Sequence, residues 1–480
     1  MRERSFMGRS GALVLITAVE LLVFLDTSVV NIALPQIGGG LHLREAGLSW
    51  VTNAYLLAFG GCMLAGGRAA DYFGARRMFQ IGLALFTLAS AAAGLAVAPW
   101  QLIAARALQG MGGAVLIPAQ LALLTQTFTD PDARRRAFGV WSAMGAAGAA
   151  IGTSAGGLLT QALGWPAIFL INVPIGAVAL IVTPRLLAAD QARTDGAAGR
   201  LDLPGAVVGT AGLLTFGYAV GALADPGTRA VAVGLLAVAV LLLAGFAAIE
   251  SRTREPLVPL RLFGIRAVTG STLVNALVGA AHVPAFALLA LYLQQTQYYG
   301  PNRSGLAVLP VAAAALLTSR TVIPGLLKQL GARQMLAIGL ALQAAGLAWF
   351  ARLPSTVDYV TDVLPAALLL GVGLPAAFVG VTAPAVTAVA PVDAGVTAGI
   401  VNTAQRIGSG LGVTAVLVLA AALTGPETPA TSPAYLTGLR AGFAACAALA
   451  LLGLLLTLIL LRPDPSKAAT MPAAAKGHSR

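Results

Sequence analysis

The fold of this chain is restricted most strongly by a series of fourteen long apolar runs. An α-helix needs about 20 such residues to cross the hydrocarbon core of a bilayer. Only 10% of the residues are charged, whereas roughly a quarter are charged in a soluble domain that must cover its core. Alternating segments typical of a membrane β-barrel do not occur in the sequence. We therefore predict an all-α, polytopic membrane protein with fourteen transmembrane helices.

Two polar stretches, at 188–202 and 251–263, divide the spans into groups of six, two and six. The predicted spans lie at 11–35, 47–66, 78–98, 100–125, 137–161, 167–187, 203–223, 230–250, 267–294, 304–326, 333–351, 363–388, 396–423 and 438–461. We expect an N-terminal six-helix bundle over 1–187, two linker helices with flanking cytoplasmic loops over 188–263, a C-terminal six-helix bundle over 264–461 and a cytoplasmic tail over 462–480.

Basic residues set the expected orientation, because Lys and Arg are enriched in cytoplasmic loops. With both termini cytoplasmic, most of the 30 Lys and Arg residues fall on the inner side. The net charge of +12 therefore favours contact with anionic lipid headgroups, and nucleic acid is not an expected partner. The first apolar run carries Glu20 and Asp26 and is too long for a secretory signal, so we interpret it as a retained span.

A short repeat relates the two six-span groups. The sequence "GARRM" at 74–78 recurs as "GARQM" at 331–335, and both copies lie between the second and third span of their own group. Two membrane halves related by duplication, with a site between them, are typical of secondary transporters.

The loop at the first copy gathers charges and glycines between two apolar spans. Arg76 and Arg77 suit a positive anchor on the inner side, which is the simpler interpretation. Asp71 is not needed for that role, and a carboxylate beside the start of span three favours the positive end of its dipole. Gly67 and Gly74 permit a tight turn and close approach. The alternative interpretation is a cytoplasmic gating loop whose contacts hold one conformation.

The ionisable residues inside the predicted spans include Glu20, Asp26 and Arg106. A carboxylate such as Asp26 costs about 3 kcal/mol at the bilayer centre, so it should face the bundle interior. Arg106 cannot lose its charge and needs a permanent partner, for which Asp26 is the candidate. The pair is either a proton-coupling device or a static ion pair. Glu20 points about 120° away from Asp26 on the helix, and it is either a second proton or cation site or a partner of a neighbouring helix.

Other polar residues within the spans are sparse. His282 is either a packing residue with a hydrogen bond or a contact for substrate or protons. An apolar cavity with a few polar groups is typical of small-molecule sites. The candidates for lining it are Asn53, Gln109, Asn275, His282, Gln294, Asn402 and Arg406.

The sequence does not predict an enzyme. "GTSAG" in span five fits the Gly-x-Ser-x-Gly pattern, but the hydrolase elbow needs a strand-to-helix turn and a histidine within reach. Neither a metal-ligand cluster nor a phosphate-binding loop with Gly-Lys-Ser/Thr occurs. We expect no catalytic residues, no metal and no cofactor.

Several stretches together resemble the major facilitator superfamily. Residues 67–77 resemble its loop motif, Gly-x-Leu-Ala-Asp-Arg-x-Gly-Arg-Lys, with departures at Ala69, Tyr72 and Ala75. The matching positions are Gly67, Ala70, Asp71, Gly74, Arg76 and Arg77. Further similarity lies in "LDTSVVNIALPQI" (25–37), "RALQGMGGA" (106–114) and "WPAIFLINVPIG" (165–176). The layout of six, two and six spans resembles the fourteen-span drug:proton antiporters of that superfamily.

Span five carries a small-residue face that permits close helix crossing. It also resembles the antiporter motif Gly-x-x-x-Gly-Pro-x-x-Gly-Gly, with Thr153 in place of the proline. The matching residues are Gly148, Gly152, Gly156 and Gly157.

The resemblance implies efflux of a hydrophobic drug or antibiotic across the bacterial cytoplasmic membrane by alternating access, driven by the proton motive force. It assigns proton coupling to Asp26 and Arg106, and gating to Asp71, Arg76 and Arg77. The expected partners are a small hydrophobic substrate, protons and membrane lipid, and the protein is expected to be a monomer. The alternative function is proton-coupled import of a small metabolite with the same fold.

Overall fold

The computed structural model describes residues 2–43, 45–190, 202–223, 226–253, 256–390, 393–424, 429 and 432–461. Within these ranges the chain forms helices with short connections and no strand. The helices are α1 (Arg2–Leu41), α2 (Glu45–Phe73), α3 (Ala75–Gly94), α4 (Pro99–Thr127), α5 (Pro131–Leu163), α6 (Ala167–Leu170), α7 (Asn172–Leu186), α8 (Leu203–Ala222), α9 (Arg229–Arg252), α10 (Arg266–Leu291), α11 (Pro301–Thr321), α12 (Ile323–Phe350), α13 (Leu364–Thr387), α14 (Ala394–Thr424) and α15 (Pro433–Leu460). Short 3-10 or π segments lie at Pro226–Thr228, Leu260–Gly264, Tyr292–Thr296 and Tyr359–Val363.

Thirteen candidate membrane spans occur in the described ranges. α6 and α7 together form one of them, Ala167–Leu186. α5, with 33 residues, occupies the position of the fifth predicted span and packs along α1 and α11. Each of the fourteen predicted spans therefore corresponds to a helix, and the prediction of an all-α membrane protein is confirmed.

The helices extend beyond the apolar runs that predict them. α1 continues to Leu41 with Pro35 inside it, whereas the predicted span ends at 35. Hydropathy marks only the part of a helix that lies in lipid, while the hydrogen-bonded backbone continues into the interfacial region.

We call α1–α7 the N group and α10–α15 the C group, following the two six-span groups that the sequence predicts. In the N group α1 packs on α5, and α4 lies between α2 and α3; in the C group α10 contacts α14 and α15, and α12 contacts α13. The groups meet along two helix pairs, α2 with α14 and α5 with α11. α8 packs on α9, α2 and α14, so the linker helices lie beside one of the two inter-group contacts.

A glycine face brings α1 close to α5. A Cβ atom at Gly148 would lie 2.5 Å from the carbonyl oxygen of Leu21, and one at Gly152 would lie 2.7 Å from that of Leu25. Gly156 continues this face along α1. Only residues without a side chain permit this approach, which fixes the position of α1 and of Glu20 and Asp26 on it.

The last glycine of the span-five motif has a different neighbour. A Cβ atom at Gly157 would collide with the backbone of α11 at Pro301, so this residue lies at the contact between the two groups. The side chain of Thr153 lies outside the described residues.

The two copies of the repeated motif share an unusual backbone conformation. Gly74 has a φ of 96° and Gly331 a φ of 78°, values that glycine adopts at little cost. Gly331 breaks the helical geometry within α12, just as Gly74 separates α2 from α3. The same motif therefore makes the same turn at corresponding positions of the N and C groups.

Candidate functional site

A buried ion pair joins the first and fourth spans. Nη1 of Arg106 on α4 donates to Oδ2 of Asp26 on α1 over 2.7 Å. Both side chains are only 1% exposed. Because a buried pair is stable only where further hydrogen bonds satisfy its remaining atoms, its uncharged neighbours are part of the site.

Three uncharged polar residues complete the hydrogen bonding around the ion pair. Gln109 Nε2 and Asn172 Nδ2 donate to its Oδ1 at 2.7 and 2.8 Å. The Ser90 hydroxyl accepts from the same two amides at 2.7 and 3.2 Å, and Gln109 Oε1 accepts from Arg106 at 2.6 Å. These five residues, which we call the Asp26 network, connect α1, α3, α4 and α7.

Arg106 is held on its other side by α2. Its Nε donates to the carbonyl of Val51 at 3.0 Å, and its guanidinium carbon lies 4.2 Å from the centre of the Tyr55 ring, within cation–π range. The guanidinium keeps its charge whatever the state of Asp26, and its contacts with α2 do not involve Asp26. A change in the charge of Asp26 therefore acts on the contact between α1 and α4.

The Asp26 network suits a carboxylate. The three atoms that hydrogen-bond to the Asp26 oxygens are all N–H donors. A proton on Asp26 would set an O–H against one of these donors and would remove the charge that holds Arg106.

Glu20 lies on a different face of α1, as its angle from Asp26 predicts. It is 1% exposed, and a Cβ atom at Gly145 of α5 would be 3.3 Å from its Oε1. Arg406 of α14 exerts an electrostatic influence on Glu20. The two acids of span one therefore belong to separate sites, one inside the N group and one facing the C group.

Two of the cavity candidates connect the N and C groups. Asn53 Nδ2 donates to the hydroxyl of Thr414, which joins α2 to α14. Gln294 Nε2 donates to the carbonyl of Ile32 at 2.8 Å, which joins the end of α10 to α1. Both amides therefore serve inter-group contacts in this conformation.

The other candidates are distributed differently. Asn275 is 1% exposed and donates to the carbonyl of Val401 at 2.8 Å, so it fixes α10 to α14 within the C group. His282 is half-buried, and its Nδ1 donates to the carbonyl of Val278 at 2.7 Å. Asn402 is also half-buried, on α14.

The turn between α2 and α3 is organised by a residue that the sequence analysis missed. The backbone N–H groups of Arg76 and Arg77 donate to Oδ1 and Oδ2 of Asp190, each at 2.9 Å. Asp190 follows α7, and its carboxylate fills the space that a Cβ atom at Gly74 would occupy. It therefore caps the start of α3, the position that the sequence analysis gave to Asp71. The side chain of Asp71 lies outside the described residues.

The preceding part of α2 contacts α4 and the linker. A Cβ atom at Gly67 would make an ordinary contact, 3.6 Å from Pro118 of α4. Arg68 Nη2 donates to the carbonyl of Pro256 at 2.8 Å, in the connection between α9 and α10. The charged loop is thus attached both to α7 and to the chain that leads into the C group.

Replacing Asp190 by alanine is expected to lower the stability of the N group by about 1 kcal/mol, the typical cost of losing a helix N-cap. The measurement is hydrogen exchange of the amides of Arg76 and Arg77, which should become faster. Asp190→Asn keeps one acceptor, so the exchange rates of these two amides should lie between those of the alanine variant and those of the natural protein. Unchanged exchange in Asp190→Ala would contradict the capping role.

Three residues important for the site were absent from the sequence prediction. Asn172 and Ser90 are uncharged and lie in apolar runs, so nothing in their sequence context marks them as partners of Asp26. Asp190 lies in a polar stretch between spans, where a carboxylate is unremarkable. Only the arrangement of helices identifies their roles.

Comparison with known proteins identifies the family. The sequence profile of the Major Facilitator Superfamily matches residues 16–413. The puromycin resistance protein pur8 of Streptomyces alboniger is 40% identical over 453 residues, which cover 93% of this chain and 90% of that protein. The cephamycin export protein CmcT of Amycolatopsis lactamdurans is 39% identical over 410 residues, which cover 85% of this chain and 84% of that protein. The lincomycin resistance protein of Streptomyces lincolnensis is 34% identical over 92% of this chain and 90% of its own length.

Solved structures show the same fold at low sequence identity. The nucleoside transporter NupG is 12% identical, with a TM-score of 0.62 and coverage of 95% of this chain and 100% of its own. The POT family transporter PepTSo is 17% identical, with a TM-score of 0.67, and the match covers 96% of this chain and 99% of that one. The chain is thus a multi-pass membrane transporter and not an enzyme, and it belongs to the Major Facilitator Superfamily.

Proposed function

We propose that this protein exports a hydrophobic antibiotic or drug across the bacterial cytoplasmic membrane in exchange for protons. Similarity to resistance and export proteins over most of both chains supports the substrate class. The observation that carries the coupling is the Asp26 network, in which an ionisable acid is buried against a permanent cation. The proton motive force supplies the energy, so the scheme needs no cofactor.

In the proposed cycle, substrate enters from the cytoplasm while Asp26 is a carboxylate held by Arg106. The N and C groups then move so that the cavity faces outward, where a proton binds to Asp26 and the substrate leaves. Loss of the Asp26 charge releases α1 from Arg106 and permits the return to the conformation that faces the cytoplasm. There Asp26 releases its proton to the cytoplasm and pairs with Arg106 again. The α2–α3 turn, capped by Asp190, holds the cytoplasmic rim in one of the two conformations.

The proposal also includes cytoplasmic termini, contact of the outer helices with membrane lipid, and a monomeric protein. The positive-inside distribution supports cytoplasmic termini. The outer face of α9 is apolar, with Leu241 71% exposed, which supports membrane lipid as the partner of that face. We propose that a single chain carries out the cycle, because the Asp26 network draws all of its residues from one N group.

Expression in an antibiotic-sensitive, pump-deficient bacterium tests the proposed export directly. Puromycin, lincomycin, methylenomycin A and a cephamycin form a suitable panel, because relatives are named for them. We expect lower accumulation of at least one compound and loss of that effect with a protonophore. Unchanged accumulation of all of them, with the protein present in the membrane, would count against the proposal, and protonophore-sensitive uptake would indicate an importer.

Asp26→Asn is expected to reduce efflux driven by a pH gradient to the level of vesicles without the protein, because asparagine keeps the hydrogen-bonding shape but neither binds a proton nor attracts Arg106. The measurement is efflux of the exported compound from energised membrane vesicles. The matched control is Asp130→Asn, since Asp130 is a helix cap and asparagine also caps well. Full efflux by a correctly inserted Asp26→Asn protein would refute the coupling role.

A further inference from the structure

Glu20 is the acid of the first span that the Asp26 network leaves out. Among the described residues its Oε2 has no hydrogen-bond partner, and neither does Nε2 of Gln120 on α4. Gln120 Oε1 accepts from Nε1 of Trp141 on α5 at 2.7 Å, and the same indole lies within hydrogen-bonding reach of Glu20. The Trp141 indole of α5 thus lies beside the Glu20 carboxyl, but one carboxyl oxygen stays unsatisfied among the described residues, which is costly inside a bundle.

The cation that faces Glu20 comes from the opposite group. Arg406 of α14 extends into the N group, where its guanidinium carbon lies 4.7 Å from the ring centre of Phe59 and 5.3 Å from that of Phe24. Phe24 follows Glu20 by four residues and therefore shares its face of α1. The charges of Glu20 and Arg406 act on each other, whereas the Asp26 network lies within the N group alone.

Two other titratable groups face Arg406. They are Tyr55 on α2 and His282 on α10, and both interact electrostatically with its guanidinium. His282 donates its Nδ1 proton to a backbone carbonyl, and its ring makes an edge contact with Phe378 at 5.4 Å. Glu20 is therefore the carboxylate that faces Arg406 in the described part of the chain.

The two acids of the first span differ in what a proton would do to them. Both oxygens of Asp26 accept from N–H donors, so a proton there breaks existing hydrogen bonds. A proton on Oε2 of Glu20 displaces no hydrogen bond of the described residues. Its arrival would only remove the negative charge that faces Arg406.

We propose that Glu20 is the acid that takes up and releases a proton while the protein is in this conformation, with Arg406 of the C group as its counter-charge, and that Asp26 stays a carboxylate meanwhile. The proposal rests on the proton coupling proposed above and adds a second site to it. It assigns to Glu20 the control of an attraction between the N and C groups, which Asp26 cannot provide.

Infrared difference spectroscopy of the full-length protein in lipid nanodiscs, without substrate, tests this assignment. A protonated carboxyl has a C=O stretch that a carboxylate lacks, and spectra recorded between mildly acidic and mildly alkaline buffer isolate it. We expect this pH-dependent band in the natural protein and in Asp26→Asn, and we expect its loss in Glu20→Gln. A band retained in Glu20→Gln, or lost only in Asp26→Asn, would overturn the proposal.

Arg406→Gln tests the counter-charge. Without the nearby cation the neutral acid is favoured, so the Glu20 band should persist to more alkaline pH than in the natural protein. The matched control is Arg320→Gln on the exposed end of α11, which should leave the titration unchanged. An unchanged titration in Arg406→Gln would overturn the assignment of this partner.

Two features keep the test decisive. If Glu20→Gln does not insert, Glu20→Asp replaces it, and a titration identical to that of the natural protein would refute the role of Glu20. Because the measurement needs no substrate, its result is independent of the export assay. If the protein exports antibiotic but Glu20 does not titrate, the inference about Glu20 is refuted and the proposed export function is not.

Discussion

Replacing Arg106 by methionine is expected to lower the free energy of unfolding by about 3–5 kcal/mol, the cost of removing one partner of a buried ion pair. Methionine fills much of the same volume but leaves Asp26 Oδ2 and Gln109 Oε1 without the donor they share. Neither oxygen has access to water, since both residues are buried. The measurement is SDS-induced unfolding of the purified protein, followed by tryptophan fluorescence.

The double variant Asp26→Asn with Arg106→Met tests whether the unpaired charge of Asp26 causes this loss of stability. Because it removes the uncompensated charge, it should be more stable than Arg106→Met alone, although it should remain inactive in proton-driven efflux. The control is Arg320→Met, which removes an exposed cation and should have little effect. If Arg106→Met is as stable as the natural protein, or if the second substitution restores nothing, the pair does not have the energetic role described.

Replacing Gly152 by valine is expected to cost about 1–3 kcal/mol, the range for overfilling a packed interior, and to impair transport. The new Cβ atom would overlap the Ser28 hydroxyl and would lie 2.7 Å from the carbonyl oxygen of Leu25. Because one of these obstacles is backbone, only separation of α1 from α5 relieves the contact. That movement would also displace Asp26, which follows Leu25 directly.

The same helix provides a matched control for this substitution. A Cβ atom at Gly139 of α5 would have no neighbour within 4 Å, so Gly139→Val changes the residue type without adding a clash. Both variants are compared in the SDS unfolding assay and in efflux. Equal stability of the two variants would show that the glycine face does not set the distance between α1 and α5.

The pairing of Asp26 with Arg106 was predictable because the cost of an unpaired charge inside an apolar span leaves few possible partners. A carboxylate and a guanidinium in apolar spans of the same group each need a partner, and few other ionisable groups are available there. The uncharged members of the Asp26 network had no such constraint. An asparagine such as Asn172 is tolerated at many places in a helix, and its role follows only from the packing of α7 beside α1.

Amide residues in the spans show why the sequence does not identify their hydrogen-bond partners. Asn53, Asn275 and Gln294 are predicted to supply polar contacts in an apolar cavity, and a polar side chain in an apolar span also needs a hydrogen-bond partner. A cavity, an inter-group contact and a helix–helix contact all satisfy that need. Sequence alone therefore identifies the need but not the partner, and the backbone carbonyls that Asn275 and Gln294 use carry no sequence signal.

The capping of α3 follows the same logic. The start of a helix favours a carboxylate, and Asp71 was the nearest one in sequence. Asp190 performs the role from the far end of the N group, because the end of α7 lies beside the start of α3. The positive φ of Gly74, in contrast, was predictable from local sequence, since a glycine between two helices often serves such a turn.

The most direct test of the account is proton movement in proteoliposomes that contain the purified protein and a pH-sensitive dye. An outwardly or inwardly directed gradient of an exported antibiotic, with no pH gradient imposed, should drive protons in the opposite direction through the natural protein. Asp26→Asn should give no proton movement, and Asp130→Asn should behave like the natural protein. Proton movement of normal size through Asp26→Asn would contradict the claim that the buried acid beside Arg106 couples the two fluxes.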